Sequence, residues 1–104
     1  MVNCWIFADD VAIGQAALAI RDKSMGVVGS DFHPTPAYAA VRAQIQATSL
    51  DNQSEQMPLT VRTESGELLN PVAGVRVADV PEVAVLEVMV LGLDSESIER
   101  FFGI

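Results

Sequence analysis

The chain has 104 residues, with 14 acids against 6 Lys and Arg and a formal net charge of −8. This balance argues against a nucleic-acid backbone or an anionic membrane surface as partner, since both are recognised by clustered basic side chains. Half of the residues are hydrophobic and mean hydropathy is +0.32; in so small a chain part of that apolar surface is expected at an interface.

The length suits a single domain, 1–104. Cys4 is the only cysteine, so no intramolecular disulfide forms and a reducing compartment is favoured. "MVNCWIFADD" lacks the basic start of a secretory signal. The longest apolar run, "VAVLEVMVLGL" (83–93), is interrupted by Glu87 and is too short to cross a bilayer as a helix. The expectation is a soluble, cytoplasmic protein.

"VNCWIF" (2–7) reads as a strand from its β-branched and aromatic residues. The stretch 12–21 fits either element: "QAALAI" has good helix propensity. Against a helix, Gly14 would sit inside it, and Ala16, Leu18 and Ile20 alternate with Gln15, Ala17, Ala19 and Arg21 as in a strand. A hairpin is therefore expected, turning at "RDKS" (21–24) and returning as "MGVVGSDF" (25–32). His33 and Thr35 each precede a proline and are pushed to extended conformations. Thr35 suits an N-cap and Pro36 a first helical position. The helix "PAYAAVRAQIQAT" (36–48) should turn Tyr38, Val41, Ile45 and Thr48 to one side, with Arg42, Ala43 and Gln46 elsewhere. "SLDNQSEQ" (49–56) is a polar linker within the domain.

"PLTVRTESGELL" (58–69) has the alternation of a hairpin, with Ser65-Gly66 at its turn. Pro71 and Gly74 interrupt the return strand, which "GVRVADV" (74–80) continues, with Val75 and Val77 inward and Arg76 outward. "EVAVLEVMVLGL" (82–93) is a further strand. "DSESIERFF" (94–102) is a helix with Asp94 as N-cap, Leu93 and Ile98 as a hydrophobic staple and Gly103 as stop. The fold class expected is α+β: a mainly antiparallel sheet with two helices packed on it, in two loosely similar strand-strand-strand-helix halves.

Candidate chemistry is sparse. Asp31 and His33, two apart on an extended segment, project to one side; an Asp can orient an imidazole for catalysis, and Cys4 would complete a thiol-based set if the fold brought it near. The plainer reading is a histidine that faces water or bonds to its neighbours. Asp9, Asp10, Asp31 and His33 are the available metal ligands, without the spacing of a metal motif; a solvated turn accounts for the paired Asp. No phosphate-binding glycine loop occurs, and no cofactor is expected. In 83–91 both faces are apolar, and Glu87 marks the face with Val83, Val85, Met89 and Leu91. That face is expected to be covered by a helix or by another chain, which makes Val83, Val85, Glu87 and Met89 the candidate interface. The function expected is a non-catalytic interaction protein that forms a homodimer or binds a basic protein partner. The alternative is a small-molecule-binding protein or enzyme with a pocket near His33, Tyr38, Trp5 and Asp31.

Overall fold

The computed structural model describes residues 1–49 and 57–103; residues 50–56, most of the polar linker, lie outside the described residues. The strands are β1 (Val2–Ala8), β2 (Val11–Asp22), β3 (Val27–Asp31), β4 (His33–Pro34), β5 (Leu59–Thr63), β6 (Gly74–Val80) and β7 (Val85–Leu91). The helices are α1 (Arg42–Ser49) and α2 (Ser95–Phe102), and short 3₁₀ turns span Pro36–Ala40 and Pro81–Val83. The strands form one sheet in the order β5-β1-β2-β3-β7-β6, with β4 also on β2 and every pairing antiparallel. The class is α+β, as the alternation and capping signals imply.

β2 makes the sheet curl. Its first part pairs with β1 on one side and β4 on the other, and its last residues pair with β3. β3 and β4 keep one register on β2, with Gly29 opposite Ala19 and His33 opposite Gln15, but the pairing lapses between them. There the chain turns to β7, where the Phe32 N–H donates to the Leu86 carbonyl at 3.0 Å. Register shifts at Ile6/Phe7 and Ile20/Asp22 add the twist of bulged strands. The concave side holds the core: Cys4 and Ile6 of β1, Ala16 and Leu18 of β2, Val28 of β3, Val61 of β5, Val77 of β6, and Val88 and Val90 of β7. Phe32 packs inward on Gly14, where an added Cβ would fall 2.3 Å from its ring.

The helices close the fold at different places. The Pro36–Ala40 turn packs on β2 and α1 lies along β6. α2 follows β7 and is tied to the β2–β3 turn, where the Gly26 carbonyl accepts the Gly92 and Leu93 N–H groups. Gly26 has φ +67°, and a Cβ there would lie 2.0 Å from the Leu93 carbonyl oxygen. Asp94 caps α2 by accepting the Ser97 N–H at 2.8 Å, which holds its carboxyl below the usual range. Leu93 and Ile98 are both buried, and Gly103 ends the helix at φ 74°.

Several local expectations are corrected. The helix 36–48 is broken: Pro36–Ala40 is 3₁₀, Val41 is a turn, and α1 starts at Arg42. Thr35 occupies the cap position, but its hydroxyl donates to the Ala12 carbonyl at 2.8 Å and makes no cap bond. The return from β5 shrinks to a bridge between Arg62 and Leu68. β6 does not continue it: after a bend at Gly74 (φ +89°) this strand pairs with β7. Val83 lies in a 3₁₀ turn and Ala84 is left-handed (φ 55°), so β7 starts only at Val85.

Ile45 is 1% exposed and is the buried residue of α1. Ile45→Ala is expected to cost about 2–5 kcal/mol, through lost burial and a residual cavity. Urea unfolding measures this; a neutral variant would mean that α1 is anchored otherwise.

Candidate functional site

The alternation that turns Cys4, Ile6 and Val61 inward turns the intervening side chains out. Arg62 stands opposite Trp5, Trp5 opposite Gln15, and Gln15 opposite His33, in one row across β5, β1, β2 and β4. Beside the row is a shallow depression of about 260 Å³ lined by Asn3, Cys4, Gln15, Ala16, Ala17, His33 and Glu64. The structure thus brings Trp5 and His33 to one face and puts Cys4 near His33, but the thiol is unavailable. Cys4 is 2% exposed and its Sγ–H points to the Val2 carbonyl at 3.5 Å. Burial, with the charge of Glu64 second, pushes the thiol up to about 11.

Asp31 and His33 are both exposed, and among the described residues no hydrogen bond joins His33 to Asp31 or Cys4. Asp9 and Asp10 form the exposed β1–β2 turn, with Asp9 at φ 54°. Among the described residues no three His, Cys, Asp or Glu side chains converge as metal ligands would.

Tyr38 belongs to a different place from His33, Trp5 and Asp31. It is 1% exposed, packs edge-on against Phe32 with centroids 5.3 Å apart, and donates its phenol to Asp79 Oδ2 at 2.6 Å. Gln46 Nε2 donates to the same oxygen at 3.3 Å, and the Asp79 N–H donates to Ser49 Oγ at 2.9 Å. Burial first, then the hydrogen bond and charge of Asp79, push the Tyr38 phenol well above its ordinary 10.0. The sequence reading passed over Asp79, although it alternates in phase with Val75 and Val77 in "VRVADV". That phase is the signal of an acid on an inward face, which calls for a buried donor.

The outward side of β7 carries Val85, Glu87, Met89 and Leu91, all half-buried. Met89 lies over Gly29, where an added Cβ would fall 2.7 Å from the Met89 sulfur. Asp31 stands directly opposite Glu87, a like-charge pairing that destabilises neighbouring strands. Arg21 offsets it from 4.0 Å, with both side chains of that ion pair well exposed. Val83 is 66% exposed beyond the strand end. No protein-family model, curated protein or solved structure matches this chain.

Two outcomes follow. Tyr38→Phe removes a hydrogen bond to a buried carboxylate and should cost about 1.5–3 kcal/mol at neutral pH. The folded state holds the phenol neutral more strongly than the unfolded chain does, so this contribution is complete below pH 10 and lost as pH rises further. Urea unfolding across pH should therefore show the gap between wild type and variant narrowing above pH 10. For Cys4, a rise from 9.0 to about 11 lowers the thiolate fraction about 100-fold. Native protein should react with iodoacetamide at least that much more slowly than urea-unfolded protein, and equal rates would contradict the placement of the thiol.

Proposed function

We propose that the protein is a non-catalytic interaction module that docks a basic, apolar-faced protein partner on the outward side of β3, β7 and β6. The observation that carries this reading is the half-exposed row Val85, Met89 and Leu91 in a sheet whose helices pack elsewhere. Complete burial of a side chain such as Val or Met is worth about 1.5–3 kcal/mol, and these retain a fraction of that to gain. The charge pattern selects the partner. Asp31 and Glu87 lie side by side on a chain of net charge −8, so an incoming Arg or Lys relieves a repulsion that Arg21 offsets only from 4.0 Å. A second copy placed about a two-fold axis through this face would bring the same carboxylates together. The reading needs no cofactor, and its single buried cysteine suits a cytoplasmic setting.

One observation favours a second reading, a small polar ligand in the depression beside His33. Asn3, Gln15, His33 and Glu64 are among the residues that line it, and among the described residues their side chains make no hydrogen bond within the chain.

NMR titration with a short synthetic peptide alternating arginine and valine separates these readings. The amides of β3 and β7 should move, binding should weaken as salt rises, and Glu87→Arg should weaken it about tenfold or more. An equal response to an alternating glutamate–valine peptide would refute charge selection. Mass that rises with concentration in light scattering, and is abolished by Val85→Asp, would assign the face to a second copy. Shifts confined to Gln15 and His33 on addition of a millimolar monosaccharide would favour the depression.

A further inference from the structure

The break in the 36–48 helix borders a cavity. Ala37 of the 3₁₀ turn, Val41 at the break and Gln44 of α1 line it from one side, and the Asp9 end of the β1–β2 hairpin from the other; its volume is about 370 Å³. Ile13 and Met57 complete the wall. Ile13 is buried, Val41 and Met57 are half-buried against the core, and Val11 on the lip is 52% exposed. Main-chain bonds fix these walls. Ala8 pairs with Val11 across the two-residue turn. The Thr35 N–H donates to the Ile13 carbonyl at 2.9 Å, and the Val41 N–H to the Tyr38 carbonyl at 3.0 Å. A preformed, mostly apolar concavity with a few polar groups is the general form of a small-molecule site, and the size falls near the lower end of the usual range of about 300–1,000 Å³.

The polar lining side chains are Asp9 and Gln44, and among the described residues neither has a hydrogen bond or ion pair. Asp9 holds φ 54°, which costs a residue with a Cβ and costs glycine nothing. An Asp at this position also brings a carboxylate to the cavity mouth. No Lys, Arg or His lines the cavity, and nearby Arg42 is turned to the Tyr38 ring, 5.4 Å from its centroid. An anion would meet the Asp9 charge with no cation to hold it. A metal ion would find one carboxylate, short of the several converging ligands it needs.

We propose that this cavity binds a small apolar ammonium ion, its hydrocarbon body against Ile13, Val41 and Met57 and its nitrogen donating to the Asp9 carboxylate and the Gln44 amide oxygen. Contact with the apolar wall supplies most of the affinity, and Asp9, being exposed, adds the modest preference of a solvated ion pair. The cavity shares no lining residue with the His33 depression or the outward face of β7, so its test is independent of either.

Phenethylammonium is the probe, with 2-phenylethanol and phenylacetate as the neutral and anionic forms of the same body. In an NMR titration the methyl groups of Val11, Val41 and Met57 should move at millimolar ammonium. The alcohol should bind about fivefold more weakly, the factor of one exposed ion pair, and phenylacetate more weakly still. Asp9→Asn, which suits the same left-handed backbone, should lower the ammonium to the level of the alcohol and leave the alcohol unchanged. The proposal is overturned if Asp9→Asn leaves ammonium binding as it was, if phenylacetate binds as well as the ammonium, or if the shifts fall on other residues or do not occur up to the solubility of the probe. Should Asp9→Asn fail to fold, salt decides on the wild type: screening should weaken the ammonium and spare the alcohol, and an equal effect on both overturns the proposal. Shifts at Val11 that grow with protein concentration without any probe would give the lip to a second copy, which also overturns it.

Discussion

A carboxylate inside a hydrophobic core constrains everything near it. Asp79 is 8% exposed, on a strand whose neighbouring inward positions hold valines, and an unpartnered charge there would cost several kcal/mol. Two donors satisfy the same oxygen: the Tyr38 phenol from the 3₁₀ turn and the Gln46 amide from α1. Each comes from a segment that must therefore lie against β6. The same residue's N–H holds Ser49, so one position of one strand sets where the turn, the helix and the sheet edge meet. The break at Val41 separates the two contacts: the 3₁₀ turn seats Tyr38 against Phe32, and α1, starting at Arg42, brings Ser49 to the Asp79 N–H.

With one helical segment committed to β6 and the other to the end of the sheet near Gly26, the convex side of the curl is left to its own side chains. It is not uniform. The β5-β1-β2-β4 part carries a row of Arg62, Trp5, Gln15 and His33, whereas the β3-β7-β6 part sets Asp31 beside Glu87, with Arg76 opposite Met89 and Arg21 paired to Glu87. Both differ from the concave side, where the valines of β6 and β7 are cross-strand partners. The surface available for recognition is thus a consequence of how the core was closed. Within the described residues no helix is long and apolar enough to cross a membrane.

Elements carried by short-range signals were legible. The 12–21 stretch fitted either element, and Gly14 with the alternation of Ala16, Leu18 and Ile20 tipped the reading to the strand that β2 is; the structure adds the reason for Gly14, the Phe32 ring packed on it. α2 was legible to its ends because capping needs only residues within one turn, as in Asp94 with Ser97. Thr35 shows the limit. Its place before Pro36 was right, but its hydroxyl was taken by Ala12, 23 residues away. Of the candidate site residues, Asp31 and His33 are exposed on either side of the buried Phe32, an alternation that an extended segment implies. The burial of the Cys4 thiol, and the removal of Tyr38 to the other side of the sheet, were not legible.

The sequence by itself determined the periodicities, the caps and the charge: which residues alternate, where α2 starts and stops, and which backbones a chain of net charge −8 avoids. All of these depend on neighbours a few positions apart or on composition. Only the tertiary structure decided that β6 pairs with β7 and not with β5, that Asp79 finds Tyr38 across 41 positions, and that the Asp79 N–H goes to Ser49. Such choices compare edges and faces from distant parts of the chain. A valine-rich strand is compatible with several partners, and the outcome turns on which arrangement leaves no buried polar group without a donor or acceptor.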